Sequence, residues 1–349
     1  MPDEDARAVQ ALIVALPESA GSAIYGLVDV LSSAGVLWRE LVGEGPGAPQ
    51  IRPRIVSVSG EPFRCGHGIP VAPDLTIHEA AEADIIVVPE LWLSLDDDLG
   101  DRYSDLKAWL RARHRAGALI YSACSGAVLL ASAGLLDGKT ATSHWAYADL
   151  FRRRFSRVRF VPEPNLAFAD DSGRIVTSGG ATSWHDLAIH IISRHCTPGE
   201  ALRIAKVYLL QWHGEGQLPF ASLVRRQAHA DSVVRRAEDW LRRHFSEPRA
   251  VAAVVAECGV PERSLKRRFS AATGSTIIGY VQNLRIEEAK RLLETGDLSS
   301  EAISAAVGYD NPAFFRRLFK RSTGLTAGQY RRMFRPISAA GRIGATAPP

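Results

Sequence analysis

The sequence predicts two parts of different class. Residues 9–210 read as a doubly wound α/β part with a mostly parallel sheet, and residues 232–335 as an all-α tandem helix-turn-helix part. Three observations predict this division. Up to residue 210, apolar runs of strand length alternate with helical patterns, which implies parallel strands with crossover helices on both faces. Beyond residue 220 the strand signal stops. There a helical segment recurs, once at 254–274 and again at 303–324. A chain of 349 residues suits two domains better than one. Its 46% hydrophobic and 23% charged residues exclude a disordered or collagen-like chain.

The elements follow in order. ALIVAL (11–16) is a first strand, followed by a helix over 23–34. RIVSV (54–58) and DIIVVP (84–89) are further strand-length runs. The segment 101–115 is helical, with Leu106, Trp109 and Leu110 on one side. ALIYSAC (118–124) is a strand that runs directly into a small-residue helix, GAVLLASAGLL. RIVTS (174–178) is the last strand, and 183–195 is helical. Sheets of this kind hold ligands beyond the carboxyl ends of their strands.

HGEGQLPF (213–220) carries two glycines and a proline, so 211–231 is expected to be a linker. From Ser232 onward Val233, Ala237, Trp240 and Leu241 recur at helical spacing. The end, 336–349, has almost no bulky apolar residue and is expected to be a disordered tail.

Charge divides at the same place. Residues 1–220 carry 20 Lys+Arg against 26 Asp+Glu, a net −6, whereas 221–349 carry 22 against 12, a net +10; together they give the +4 of the chain. A basic second part points to a polyanion, or to a solvated basic surface. The four cysteines, Cys65, Cys124, Cys196 and Cys258, are far apart without a CxxC pair, so neither a disulfide framework nor a metal site is expected. No apolar run reaches 18 residues, and the acidic start does not resemble a secretory signal. No membrane association is expected, and the expected location is the cytoplasm.

The repeat carries the most information. Ala256 matches Ala305 and Gly259 matches Gly308 at a separation of 49; Leu265 matches Phe315, Phe269 matches Phe319 and Thr273–Gly274 matches Thr323–Gly324 at 50. Each copy reads as a short apolar helix, a turn with glycine, and a second helix with basic residues opposite an apolar stripe. The alanines are expected where the second helix crosses the first. Leu265 and Phe269, like Phe315 and Phe319, lie four apart and face inward together. Arg263, Ser264, Lys266 and Arg267 then face outward, as do Asn311, Ala313, Arg316 and Arg317 in the second copy. Arginine and lysine suit phosphates and guanine edges.

Between the copies, residues 276–296 read as one helix with Ile278, Val281, Leu284, Ile286, Ala289, Leu292 and Leu293 along one side. Twenty helical residues span ~30 Å, close to the ~34 Å between successive major-groove faces on one side of a duplex. Residues 233–334 thus resemble the DNA-binding domain of the AraC/XylS family of transcription regulators. The resemblance rests on the tandem repeat, the linking helix, the paired F…TG endings and the Gly308-Tyr309-Asp310-Asn311-Pro312 turn.

In the first part Cys124 ends a strand at a strand-to-helix turn, where a helix dipole favours a thiolate, and His144 follows the next short strand. A Cys–His pair there would do nucleophilic chemistry. The alternatives are a small buried thiol, or a cysteine lining a ligand pocket. ACSG, AGLLDGKTATSHW and IVTSGG resemble the ThiJ/PfpI branch of the class I glutamine amidotransferase-like fold, a flavodoxin-like sheet. With the second part, the whole resembles the GlxA-type arrangement.

That resemblance implies a sensing role for a small effector, an amino acid or a quaternary amine; Cys124, Ser125, His144, Trp145 and Trp92 are the candidate residues near it. It also implies a double-stranded promoter operator, a homodimer, and RNA polymerase as partner if the protein activates. No cofactor is implied. Three departures count against catalysis. Ala23 falls where catalytic relatives carry an acid, with Glu18 nearby but out of register; Glu90 and Leu91 follow the third strand in place of two glycines; and Ser125 follows the cysteine in place of histidine. The rival is a cysteine-dependent hydrolase or hydratase with an accessory DNA-binding part. Trp92, Trp145 and Trp184 read either as a box for a cation or as ordinary packing, and His144–Trp145 as a packing pair. Asp186, in His185–Asp186, reads as a helix-start acid or as part of a proton relay.

Overall fold

In the computed structural model of the chain, residues 7–80, 83–224 and 229–334 are described. The chain divides into two compact units, Met1–Gln217 and Leu218–Pro349.

The first unit runs β1 (Val9–Val14), α1 (Gly21–Ser32), α2 (Leu37–Leu41), β2 (Ile51–Ser57), β3 (Phe63–Cys65), β4 (Ile69–Val71), β5 (Leu75–Thr76) and β6 (Ile85–Val88). It continues with α3 (Ser104–Arg115), β7 (Leu119–Ala123), α4 (Gly126–Ser132), β8 (Thr140–Ala141), α5 (Ala148–Arg154), β9 (Arg159–Phe160), β10 (Leu166–Phe168), β11 (Ile175–Ser178), α6 (Trp184–His195) and α7 (Pro198–Val207). Seven strands form one sheet in the order β10-β11-β7-β6-β1-β2-β5. Every pairing in it is parallel except β10 with β11.

Both faces of this sheet are covered, which is why its central strands are unbroken apolar runs. Successive side chains point to opposite faces. Leu12, Val14, Ile86 and Val88 enter one core with Leu106 and Leu110 of α3 and Val128 of α4. Ala11, Ile13, Ile85 and Val87 enter the other with Ile24 and Leu27 of α1 and Leu187 and Ile191 of α6. The chain leaves β1 toward β2 on one side and returns to β6 on the other. Ligand sites in such sheets lie where the strand order reverses, here beyond the ends of β1 and β6.

The second unit is helical: α8 (Ser232–His244), α9 (Ala250–Cys258), α10 (Glu262–Thr273), α11 (Ile277–Thr295), α12 (Ser300–Ala306), α13 (Pro312–Thr323) and α14 (Ala327–Phe334). It has two cores. Val234, Ala237, Leu241, Val254, Leu265 and Phe269 form one, and Ile303, Val307, Phe315, Leu318, Phe319 and Tyr330 the other. Helix α11 serves both. Ile277, Tyr280 and Val281 belong to the first, and Ile286, Ala289 and Leu293 to the second.

Several expectations need correction. Ile278 points to solvent at 58% exposed, and Ile277 and Tyr280 take its place in the core. Ala256 and Ala305 are exposed, so they are not the crossing points. Buried Val254 and Cys258, and Ile303 and Val307, meet the second helices instead. Within the expected linker 211–231, residues among the described ones make fixed contacts. Gln217 is 3% exposed, while in the second unit Lys290 Nζ donates to Ala221 O at 2.8 Å and Leu223 N to Glu287 Oε1 at 2.9 Å. The expected tail, 336–349, lies outside the described residues.

Candidate functional site

In the second unit, α9 and α10 form one helix-turn-helix and α12 and α13 the other. The chain reverses at Gly259 (φ +65°) and Gly308 (φ +87°), left-handed conformations that favour glycine. Leu265, Phe269, Phe315 and Phe319 are fully buried. That fixes the opposite face of each second helix outward: Arg263, Lys266 and Arg267 on α10, and Ala313, Arg316 and Arg317 on α13, are exposed. Ser264 is half-buried. Asn311 is exposed, and its Oδ1 caps α13 by accepting from Ala313 N and Phe314 N, both at 3.0 Å.

The cations divide by partner. Lys266 pairs with Glu262 at 2.5 Å and Arg316 with Glu301 at 2.8 Å. Arg263, Arg267 and Arg317 have no ion pair among the described residues. Arg268 is structural: its Nε and Nη2 reach Asp231 at 2.8 and 2.7 Å. Asp231 also caps α8 through Val233 N and Val234 N, and the Arg268 hydrogen bonds bring its carboxyl down to about 2.

In the first unit Cys124 follows β7 with φ +52° and leads into α4. The turn is pinned from every side. Cys124 N donates to Ser178 O at 3.0 Å, Ser143 Oγ donates to Cys124 O at 2.7 Å, and a Cβ on Gly126 would lie 2.4 Å from Val88 O. Cys124 is 2% exposed, and the hydrogen-bond partner of its Sγ is Glu90 Oε1 at 3.6 Å, not His144. Burial, then the Glu90 charge, push the thiol well above its ordinary range. Burial likewise raises the Glu90 carboxyl. The thiolate expected from a helix dipole is therefore corrected: α4 has seven residues, and desolvation beside an acid outweighs it.

Sequence reasoning took Glu90 only as a missing glycine. Strands β6 and β7 are parallel neighbours with Val88 beside Ser122, so the residues just after them come together. Strand order was the signal that would have found it. Ser125 completes the arrangement: its Oγ accepts from Leu91 N at 2.9 Å and donates to Leu91 O at 2.5 Å. The Leu91 N–H, an amide where an oxyanion donor would be sought, is thereby engaged. Ala23 is wholly buried among apolar side chains, and Glu18 bonds Arg102 at 2.8 Å and Tyr103 Oη at 2.5 Å.

His144 accepts from Ala146 N through Nδ1 at 3.1 Å and lies 4.9 Å from the Trp145 ring. Gln217, another residue the sequence did not single out, closes this loop. Its Nε2 donates to Ser143 O at 2.9 Å, and its Oε1 accepts from Trp145 N at 3.2 Å. The three tryptophans of the candidate cation box each sit against a different histidine: Trp92, 51% exposed, on His67; Trp145 on His144; Trp184 on His185. Asp186 stands in the first turn of α6, as the helix-start reading has it; it is 2% exposed there and accepts from Asn165 Nδ2 at 2.5 Å, His213 N at 3.0 Å and His213 Nδ1 at 2.8 Å.

Two cavities open beside α6. One of about 420 Å³ is lined by Asp186, His190, Leu202 and Trp212 among others, and one of about 590 Å³ by Asp29, Trp184, His185, Tyr208 and His213 among others. Neither is lined by Cys124 or Glu90. Among the described residues, no cluster of His, Cys, Asp and Glu is arranged for a metal ion, and no helix is long and apolar enough to cross a membrane.

Comparison with known proteins matches residues 29–194 to the DJ-1/PfpI family and residues 254–333 to a helix-turn-helix domain. The HTH-type transcriptional regulator CdhR of Pseudomonas aeruginosa is 26% identical over 291 residues, covering 82% of each chain. The HTH-type transcriptional regulator GlxA of Rhizobium meliloti is 30% identical over 224 residues, covering 64% of this chain and 68% of that one. An isonitrile hydratase of Pseudomonas putida is 28% identical over 143 residues, covering 40% of this chain and 58% of its own.

Proposed function

Because this chain belongs to the family of HTH-type transcriptional regulators that join a DJ-1/PfpI domain to an AraC-type helix-turn-helix domain, we propose that α10 and α13 enter successive major-groove segments of a promoter operator. One observation carries the reading: both helices bury their aromatic or leucine stripe and turn Arg263, Arg267, Arg316 and Arg317 to solvent. Phosphate contacts supply most of the affinity, and base edges the specificity. The test begins with a duplex selected from a randomised pool by the full chain. Arg267→Ala and Arg316→Ala each weaken binding to it by about tenfold, 1–3 kcal/mol per lost contact, without changing the fold. Unchanged affinity at moderate salt would refute the groove assignment.

A small effector, an amino acid or quaternary amine, and a homodimer formed through the DJ-1/PfpI domain complete the proposal, with a cytoplasmic location. The effector shifts the population of DNA-competent arrangements. Duplex binding that stays the same across a panel of amino acids and betaines would remove the effector, and a monomer in sedimentation would remove the dimer. Turnover at Cys124 is not part of the proposal. Support for leaving it out comes from the buried thiol, the facing Glu90 carboxyl and the engaged Leu91 amide.

A further inference from the structure

The internal repeat reaches back beyond the helix-turn-helix modules. Arg236 on α8 and Arg285 on α11 stand 49 residues apart, the separation of Ala256 from Ala305. Each guanidinium donates to a carbonyl at the turn of the module that follows its helix. Arg236 Nη2 donates to Cys258 O, and Arg285 Nη1 donates to Gly308 O at 2.7 Å. From there the copies diverge. The hydrogen bonds of Arg236 stay within the first module among the described residues. Arg285 sends Nε to Phe245 O at 2.7 Å and Nη2 to Glu247 O at 3.1 Å, both in the turn between α8 and α9. Its plane also lies 4.8 Å over the Tyr309 ring.

The backbones meet at the same point. A Cβ on Gly308 would fall 2.2 Å from Ser246 O and 3.0 Å from Arg285 Nη2. One side chain on the shared helix therefore gathers three carbonyls, two from the first module and one from the turn of the second. A guanidinium presents its donors in a rigid planar fork, so three fixed acceptors define one orientation. Helix α11 fixes the separation of the modules along its axis. The fork fixes the offset of the second turn against the first module.

We propose that Arg285 is a positioning residue that sets the angle and offset between α10 and α13, and so selects the spacing of the two DNA subsites the protein accepts. This rests on the reading of α10 and α13 as the groove-entering helices. The test uses the duplex selected by the full-length wild type, fluorescently labelled, with derivatives in which one or two base pairs are inserted between the subsites. Each inserted pair moves one subsite by ~3.4 Å and turns it by about a tenth of a helical turn. Anisotropy gives the affinity of each duplex for the wild type and for Arg285→Met, Arg285→Lys and Gly308→Ala. Gly308→Ala keeps the arginine but drives a methyl into Ser246 O and against the guanidinium, at a left-handed φ that favours glycine.

The wild type loses about tenfold or more for the first insertion. Arg285→Met and Gly308→Ala bind the selected duplex about tenfold more weakly and lose less than threefold on insertion. Arg285→Lys, which keeps the charge without the fork, falls between and gives the profile if Arg285→Met does not fold. Folded variants that keep the wild-type spacing profile, even if weaker throughout, overturn the proposal while leaving the groove reading intact. Failure of the wild type to enrich any duplex overturns the groove reading, and the proposal with it.

Discussion

Cys124 and Glu90 face each other across 3.6 Å in a site that burial has closed, so the thiol stays protonated near neutral pH. Its peptide should alkylate with iodoacetamide more than about tenfold more slowly in the folded protein than in denaturant, by mass spectrometry at pH 7.5. Glu90→Gln should leave it slow, because burial is the larger cause and the substitution removes only the smaller one. Fast alkylation would restore the hydrolase reading. Histidine gives the pH response of this unit. His190 is brought down to about 4 by burial, and His114, His185 and His195 are lowered for the same first reason. These groups are neutral when folded and take up protons when unfolded, so stability falls as pH drops from about 6.5 toward 4. The Asp170 carboxyl, brought to about 2, keeps its contribution across that window because its loss begins only near its unfolded value. His190→Asn should flatten the fall in Tm between pH 7.5 and 5; an unchanged slope would exclude His190 as a contributor. None of this was readable from sequence. A histidine's burial and an acid's position beside a thiol are set by strand order, which letter patterns do not carry.

At the scale of elements, strands β1, β6, β7 and β11 were legible because burial on both faces forces near-continuous apolar runs. The β3–β4 hairpin and the two- and three-residue strands β5, β9 and β10 were not, since so few residues establish no period; of the short strands only β8, just before His144, was read. In the second unit the repeat was legible through its buried stripes, which recur because each second helix must close a core. The misplacement of Ile278 arose from one turn: at the start of α11 two adjacent isoleucines satisfy the same pattern, and only the packing tells them apart. Helix α11 passes from one core to the other between Leu284 and Ile286. Ile286→Ala should cost about 2–5 kcal/mol, measured by urea titration of the full chain with a probe in the second module. A loss below 1 kcal/mol would mean that α11 is not a structural member of that core.

Over the whole molecule, charge and fold divide together. The acidic share lies with the α/β unit and the basic share with the helical one, so a polyanion is drawn to one part of the chain and repelled by the other. Affinity for the selected duplex should fall linearly on a log–log plot against salt, with a slope of about −0.9 per phosphate contacted. Substituting a phosphate-contacting arginine, for which Arg263 and Arg317 are candidates, should make that slope shallower by about one. A slope near zero would exclude phosphate contacts as the source of affinity.

A helix that completes two cores leaves neither module separable from it. If proteolysis or a stop codon ended the chain after Gly296, the first module would keep its filling of Ile277, Tyr280 and Val281, while Ile286, Ala289 and Leu293 would be left facing water. Such a half-reader would be sticky, prone to pair with its own kind or to be cleared by quality control. Loss of the second module alone therefore uncovers half of a helix that the first module still needs.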